Sequence, residues 1–393
     1  MTTNRDAIDL LSPEFYVGDP HPAYRWMREN EPVFRDEKNA LWGITTMADI
    51  RNVERMSDLF ISSRGYRSTD HPAEDSMIKK DDPGHAEQRK LISARFTPRA
   101  VRQREDEIRE IVVECLERIR AQGSAEVVDS LAARIPATLT CRLLGFPDSH
   151  WSLLDDWSAK LMRVDRLPFE PRLMNDSTQA FVDMSEAAFE LYESRRREPR
   201  DDLMSLWAHA DLGGSPMKFE TIQWELGLVI PGGVDTTRTT IARSLILLSE
   251  RPDLWAQMAK EPSRIPGAVE ELLRFITPLN NMFRTAARDV DISGQEIAAD
   301  DRLCLLYPSA NRDDSFFEDP DEIRFDRSPN PHVAFGLGTH FCLGANLARL
   351  TLRVFFEELT KRLDKLEAIA PPEYEANVFI KGVRRFDVAF ESA

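Results

Sequence analysis

Cysteine is scarce in this chain, which has only four cysteines among 393 residues. None of them form a C-x-x-C pair, so the sequence gives no support to a zinc ribbon, a thioredoxin-type site or a disulfide framework. Cys115, Cys141 and Cys304 lie in apolar, periodic surroundings that are typical of small buried hydrophobic residues. Only Cys342 has unusual neighbours.

The chain also lacks an excess of positive charge and any long apolar run. Its formal net charge of -16 argues against non-specific binding to nucleic acid or to an acidic membrane surface. No stretch approaches the ~20 unbroken apolar residues that a membrane span requires. The N-terminal sequence has no basic flank followed by an apolar segment, as a secretory signal would. We therefore expect a cytoplasmic protein with no membrane anchor.

Most of the sequence has the periodicity of helices, with apolar residues at spacings of three and four. Clear examples are 48–60, 98–123 and 149–164. Strand signals are short and confined to a hairpin at 32–46, the 286–307 region and the C-terminal part. No repeat, low-complexity tract or linker divides the chain. We expect residues 1–393 to form a single large domain, mainly α with a minor β region.

Cys342 stands in "FGLGTHFCLGANLARL", between glycines and the start of a predicted helix at Leu343. Unpaired N–H groups and the dipole at a helix N-terminus stabilise a thiolate. Gly336, Gly338 and Gly344 let the backbone approach something bulky. The local pattern fits a thiolate metal ligand facing a large flat group, but a buried structural cysteine or a nucleophile paired with His340 stays open.

A second stretch, "LGLVIPGGVDTTRTTIARSLILL", is a long apolar helix interrupted at Pro231, Gly232 and Gly233. Glycine costs about 1 kcal/mol relative to alanine inside a helix, and proline costs more. The pattern predicts that the helix opens there into a groove for a small ligand. Thr236 is placed to bond to the Gly232 carbonyl, and Asp235 puts an ionisable group in an apolar setting. The alternative is a kinked core helix with a solvated Asp235 at its edge.

Two further stretches place charges at helical spacings. In "AVEELLRF", Glu271 and Arg274 are three residues apart among apolar neighbours, which favours a buried bidentate pair. In "DDPGHAEQRKLISARFTP", His85 and Arg89 lie four apart at the start of a helix, as in an anion clamp. Taken singly, each motif is also compatible with an ordinary helix face.

Together and in this order, these stretches resemble the cytochrome P-450 family of haem-thiolate monooxygenases, of the soluble bacterial type. The matching pieces are "HAEQR", "GGVDTT", "EELLR", "ANRD" and "HVAFGLGTHFCLGANLAR", spread over roughly the last four-fifths of the chain. The resemblance implies the P-450 fold, one haem b and insertion of one atom of O2 into a C–H bond.

The resemblance also implies roles for individual residues. Cys342 would be the axial thiolate, and Phe335 would pack beside its sulfur. The glycines, Gly336 and Gly344 among them, would let backbone N–H groups approach the sulfur and tune its electron donation to the iron. Asp235 and Thr236 would order water and relay protons to dioxygen. The remaining roles are haem propionate binding by His85, Arg89, Arg284 and His340; room for oxygen at Gly232 and Gly233; and a structural lock by Glu271 and Arg274 with Arg327 or His332 as third partner.

One feature departs from the family pattern. The motif's helix usually runs unbroken into its glycines, whereas here Pro231 precedes them. Proline lacks an N–H and clashes with the preceding turn, so a sharper or earlier kink and altered proton delivery are expected. Because the acid and the threonine are both present, the monooxygenase prediction is kept.

The sequence contains no flavin or nicotinamide domain and no iron–sulfur spacing, so the resemblance implies a separate ferredoxin with its reductase as electron donor. Such donors are usually acidic, and a basic docking face is therefore expected despite the net charge. Its candidates flank the cysteine helix and the helix after "RFTP", where ordinary surface arginines are the alternative: Arg99, Arg102, Arg104, Arg349 and Arg353.

The segments that line the substrate pocket in this family correspond to 65–77, 161–173, 229–235, 279–283 and 378–380. They are mainly apolar, and Asn280 and Asn281 suggest a polar anchor. The chain is similar to members that oxidise sterol side chains or terpenoids. Secondary metabolites and fatty acids are alternative substrates, and a haem sensor that does not turn over or a thiol enzyme without haem are rival functions.

Overall fold

The computed structural model describes residues 5–166, 168 and 170–392. Helices dominate this part of the chain, as predicted. They are α1 (Pro13–Val17), α2 (His21–Asn30), α3 (Met47–Arg55), α4 (Gly84–Ser93), α5 (Pro98–Arg102), α6 (Glu105–Arg120), α7 (Arg134–Leu144), α8 (Trp151–Met162), α9 (Leu173–Arg197), α10 (Leu203–Ala208), α11 (Phe219–Glu250), α12 (Pro252–Lys260), α13 (Ile265–Ile276), α14 (Tyr307–Ala310) and α15 (Ala345–Arg362).

Short strands make up the minor β part. They are β1 (Val33–Asp36), β2 (Leu41–Ile44), β3 (Phe60–Ile61), β4 (Ser124–Glu126), β5 (Asp211–Leu212), β6 (Ser215–Pro216), β7 (Met282–Ala286), β8 (Val290–Ile292), β9 (Gln295–Ile297), β10 (Arg302–Leu305), β11 (Leu363–Ala368), β12 (Glu373–Tyr374), β13 (Val383–Arg385) and β14 (Asp387–Ser392). The largest sheet has the order β1-β2-β10-β7-β3, and a second has the order β11-β14-β4. The sheets therefore join distant parts of the chain, and β1 and β2 form the expected antiparallel hairpin.

Helix α11 is the central element of the helical part and contacts α7, α8, α9, α13 and α15. Its first half packs into an apolar cluster with α8, α9 and α10, through Leu226 and Ile230. Its second half packs into another cluster with α6, α13 and α15, through Ile241 and Leu245. The polar stretch between these halves carries the predicted acid–threonine motif, so that motif lies between two buried apolar clusters.

The structure differs from the predicted helices at two places. The segment 98–123 forms two helices, because the acidic residues Glu105, Asp106 and Glu107 start a new N-terminus at α6, where negative charge is favourable. Helix α11 runs as one helix from Phe219 to Glu250 with Pro231 inside it, and is not interrupted there. Among the described residues, no helix combines the length and apolarity needed to cross a membrane.

Candidate active site

Cys342 lies between a short 3-10 turn at Gly338–His340 and the start of α15 at Ala345, two residues later than predicted. Its backbone N–H donates to the Phe335 carbonyl at 2.9 Å, which closes the loop on itself. Gly338 adopts a positive φ of 66°, and a Cβ there would collide with the Glu54 carbonyl. This glycine is therefore needed so that the loop can pack against α3.

Cys342 is the exposed cysteine of the four, and the other three are buried. The surrounding protein desolvates the thiol and raises its pKa, while the Gly344 N–H and the charges of Arg89 and Arg349 oppose that rise. Among the hydrogen bonds of the described chain, none joins Cys342 to His340. Cys342 therefore lacks the hydrogen-bonded base that an activated nucleophile requires, which favours a ligand over a nucleophile.

The four predicted propionate partners come from three separate parts of the chain, and three of them lie near the cysteine loop. The rings of His85 in α4 and His340 are 4.2 Å apart. Arg89 donates to the Phe341 carbonyl at 2.6 Å, and Arg284 lies on β7. Burial and the nearby charges of Arg284, His85 and Arg89 lower the pKa of His340 to about 3. Such a concentration of basic groups is suited to anionic carboxylates.

In α11, Gly232 and Gly233 are exposed although the residues on either side of them are buried. Thr236 Oγ1 donates to the Gly232 carbonyl at 2.7 Å, as predicted. A Cβ added to Gly232 would meet nothing within 4 Å, whereas one on Gly233 would lie 3.1 Å from Thr140 Oγ1. Helix α11 contacts α15, which directly follows Cys342. The two glycines thus leave accessible surface on one face of α11, which is compatible with the groove hypothesis.

Asp235 is only 3% exposed, so it is not the solvated residue that the alternative interpretation required. Ser158 Oγ donates to its Oδ2 at 2.6 Å, and Arg238 Nη2 lies 3.4 Å from its Oδ1. Arg238 also donates to Asp155 at 2.9 Å. Sequence reasoning missed these partners: Arg238 is three residues from Asp235 and the spacing signals it, but Ser158 and Asp155 come from α8 and carry no such signal.

Glu271 and Arg274 are both fully buried and form the predicted bidentate pair at 2.8 and 2.9 Å. Arg327 Nε lies 3.1 Å from both oxygens of Glu271, and the Asn330 amide donates to the same carboxylate at 2.9 Å. Of the two third partners that the sequence left open, the structure selects Arg327. His332 instead contacts Glu270 at 3.1 Å.

Arg274 ties several backbone segments together through its other donors. It donates to the carbonyls of Asn311 at 2.8 Å, Pro320 at 2.8 Å and Glu322 at 3.0 Å. Asn311 in turn accepts a hydrogen bond from the Val333 N–H at 2.8 Å, just before Phe335. The Arg349 guanidinium stacks over the Phe335 ring at 4.5 Å. The buried charges therefore fasten the chain that leads into the cysteine loop.

The prediction that Asn280 and Asn281 form a polar anchor for the substrate is wrong. Both side chains are fully buried, and both amides donate to the Val378 carbonyl, at 3.2 and 2.9 Å. These hydrogen bonds hold the 377–378 turn in place, and neither asparagine side chain is accessible to a ligand. Around this turn, Met162, Phe379 and Ile380 form an apolar cluster against which Leu279 and Met282 pack. Positions 167 and 169 of the segment 161–173 lie outside the described residues.

The predicted docking arginines fall into two groups. Three of them are paired with acids: Arg104 with Glu107 at 2.8 Å, Arg349 with Glu270 at 2.7 Å and Arg353 with Glu105 at 2.6 Å. Arg99 and Arg102 are exposed on α5, which contacts α15, and the salt bridges of the described residues include neither. Uncompensated positive charge on this face is therefore concentrated at α5.

The residues present fit a haem. The accessible Cys342 thiol would hold the iron, and the basic groups near the same loop would bind the two propionates. The exposed glycines of α11 leave a helix face that a flat ligand can approach closely. This combination defines the class of protein as a haem-thiolate enzyme.

Comparison with known proteins identifies the family. The family model for cytochrome P450 matches residues 159–372, and the chain belongs to that family. The steroid C26-monooxygenase of Mycolicibacterium smegmatis is 36% identical over 98% of this chain and 96% of its own length. The linalool 8-monooxygenase of Pseudomonas putida is 30% identical over 97% of this chain and 98% of its own.

Solved structures agree with this assignment. The structure of a Mycobacterium marinum cytochrome P450 in complex with pseudoionone has a TM-score of 0.91 at 31% identity, and the match covers 99% of both chains. The chain therefore has the P-450 fold and is a monooxygenase that uses haem b and O2.

Proposed function

We propose that this enzyme hydroxylates the side chain of a steroid, with O2 and two electrons from a ferredoxin and its reductase. The observation that carries the reaction class is the exposed Cys342 thiol just before α15, together with the exposed glycines of α11, a helix that contacts α15. When bound, haem supplies oxygen activation and oxidation of the C–H bond. Cys342 would hold its iron, and His85, Arg89, Arg284 and His340 would bind its propionates.

The protein's own contribution to oxygen chemistry is proton delivery from α11. Thr236 is half-buried and lies one turn after the exposed Gly232, to whose carbonyl its hydroxyl donates, so its oxygen lone pairs can accept a hydrogen bond from a water or a ligand. Asp235 is adjacent in sequence but engaged with Ser158 and Arg238. In the proposed relay, Asp235 leaves Arg238, takes up a proton from bulk water and passes that proton towards Thr236. The Ser158 and Arg238 contacts hold the acid until that step.

The steroid assignment rests on the relatives, among which steroid C26-monooxygenases recur, and on the apolar cluster at Met162, Phe379 and Ile380. A terpenoid is the second candidate, because the linalool 8-monooxygenase and the structure with pseudoionone are also similar. Burial of Asn280 and Asn281 removes the expected polar anchor and favours a substrate held by apolar contacts.

Substrate-induced changes in the Soret absorption distinguish these candidates. Cholesterol, linalool and palmitic acid are titrated in parallel into the ferric enzyme. We expect cholesterol to bind at least about tenfold more tightly than the other two, since it buries the largest apolar area. Tighter binding of linalool would replace the steroid proposal by the terpenoid one, and tighter binding of palmitic acid would favour a fatty acid.

The docking site for the electron donor is proposed from the distribution of charge on the surface. The overall charge of -16 would repel an acidic ferredoxin, so an approach through exposed Arg99 and Arg102 beside α15 is favoured. The proposal places the enzyme in the cytoplasm, where it would share a compartment with these donors.

A further inference from the structure

A buried acid lies behind one of the proposed propionate partners. Glu54, near the end of α3, is 4% exposed, and its Oε1 accepts a hydrogen bond from the Tyr307 hydroxyl at 2.5 Å. Arg284 Nη2 lies 3.5 Å from the same oxygen. The other carboxylate oxygen, Oε2, is buried and has no hydrogen-bond partner among the described residues. A buried carboxylate with one unpaired oxygen is costly, which calls for an explanation beyond packing.

Glu54 also contacts the cysteine loop. The 3-10 turn at Gly338–His340 packs on α3, and the close approach of Gly338 is to the backbone carbonyl of Glu54. A Cβ on Gly336 would lie 3.3 Å from Glu54 Oε1. Both of these glycines have positive φ angles. The carboxylate is therefore enclosed by Arg284 on one side and by the backbone before Cys342 on the other.

Glu54 and Arg284 depend on each other for charge compensation. Burial raises the pKa of this carboxyl above its ordinary value, although Arg284 and the Tyr307 hydroxyl favour its ionised form. Arg284 is itself only 3% exposed, and Glu54 is the acid within ion-pair distance of it among the described residues. Without Glu54, Arg284 would be a buried cation held only by the Phe283 carbonyl at 2.7 Å.

We propose that Glu54 is a positioning residue of the haem pocket, which orients Arg284 towards a propionate and sets the charge that the haem experiences. The proposal rests on the assignment of Arg284 to a propionate made above. Arg284 would be shared between two carboxylates, one from the protein and one from the haem. Loss of the protein carboxylate then leaves Arg284 less constrained and the pocket more positive.

The test uses holoenzyme variants that remove one negative charge at a time. In Glu54→Gln we expect haem to be lost to excess apomyoglobin about tenfold faster than in the wild type. Loss of a residue that orients a direct binding partner of a metal site typically has an effect of this size. We also expect the iron midpoint potential to move in the positive direction, because a buried negative charge stabilises the ferric state. Asp49→Asn on the same helix is the matched control and should change neither quantity. Glu54→Asp, which keeps the charge, should restore most of the potential.

A double-mutant cycle with Arg284→Gln separates the two assignments. If Glu54 acts through Arg284, then Glu54→Gln adds nothing to the faster haem loss of Arg284→Gln. Fully additive effects on haem loss would overturn the positioning role. Wild-type haem loss and potential in Glu54→Gln, with fast loss in Arg284→Gln, would overturn it and leave the propionate assignment intact. Wild-type haem loss in Arg284→Gln would overturn the propionate assignment itself.

Discussion

Thr236 and Asp235 are neighbours in α11, yet their surroundings differ. The threonine is half-buried and lies on the same helix face as the exposed Gly232, while the aspartate is buried and held by Ser158 and Arg238. A hydroxyl bonded to the carbonyl four residues earlier slightly destabilises a helix, so helix stability alone does not explain Thr236. Its place beside the exposed glycines, rather than its hydrogen bond, supports a chemical role.

We predict that Thr236→Ala keeps haem and its spectrum but diverts reducing equivalents to hydrogen peroxide. Loss of the hydroxyl removes a proton donor of general acid–base type, whose contribution is about 10²–10⁴-fold. The measurement compares hydroxylated product with peroxide per electron pair consumed.

Thr240→Ala is the matched control for this prediction. Thr240 makes the same type of bond one turn later, to the Thr236 carbonyl at 2.8 Å, but is buried. The control should stay coupled to product. Tight coupling in Thr236→Ala as well would refute the relay.

At the residue scale, the sequence predicted what local spacing determines. The Thr236 bond to Gly232 and the Glu271–Arg274 pair follow from positions four and three apart in a helix. The role of Asn280 was mispredicted, because whether an amide faces a pocket or a backbone carbonyl depends on the 377–378 turn about a hundred residues away. Glu54 was missed for the same reason, since its partners come from β7 and α14.

At the scale of elements, α11 also fastens the segment that precedes α4. Glu225 Oε1 accepts from the Met77 N–H at 2.7 Å and from the Gln88 amide. One turn earlier, Thr221 donates to Asp75 at 2.7 Å. The segment 75–77, part of a predicted substrate-lining region, is thus held to the central helix by a buried carboxylate.

This carboxylate makes stability depend on pH. Burial is the main cause that raises the pKa of Glu225 from 4.5 to about 7, although the Met77 and Gln88 hydrogen bonds oppose it. A carboxyl with a raised pKa in the folded state binds its proton more tightly than in the unfolded state. Its contribution to stability is therefore full below pH 4.5 and lost as the pH rises to about 7, by roughly 3 kcal/mol.

We predict that Glu225→Gln removes this loss, so that the free energy of unfolding becomes flatter between pH 4.5 and 7. Urea unfolding at several pH values measures the effect. Glu220→Gln, at an exposed position of the same helix, should leave the wild-type slope unchanged. An unaltered slope in Glu225→Gln would contradict the raised pKa.

Elements were predicted well where periodicity is strong and poorly where two preferences compete. Proline predicted a break in α11, but the apolar faces on both sides of Pro231 are buried in large clusters, and packing of this kind outweighs local propensity. In 98–123, continuous periodicity hid the new helix start at Glu105, whose signal is the run of three acidic residues.

At the scale of the whole molecule, charge distribution matters more than net charge. The chain is strongly acidic, yet Arg99 and Arg102 are exposed on α5 next to the cysteine helix. The division of the chain into a single domain over 1–393 stays a prediction.

We predict that the double variant Arg99→Glu/Arg102→Glu slows reduction by a ferredoxin by roughly tenfold at low salt, because electrostatic steering is lost. Stopped-flow reduction at several ionic strengths measures the rate. Arg288→Glu, an exposed arginine with a side chain 69% accessible, is the control and should be reduced at the wild-type rate. If high salt slows the wild type and the double variant equally, docking lies elsewhere.

The central claim is that Cys342 is the axial thiolate of a haem, and the absorption spectrum of the reduced, CO-treated protein tests it most directly. Thiolate ligation predicts a strongly red-shifted Soret band that Cys342→Ala abolishes and Cys115→Ala, at a buried cysteine, retains. An imidazole-type band in the wild type, or a red-shifted band that persists in Cys342→Ala, would contradict the account.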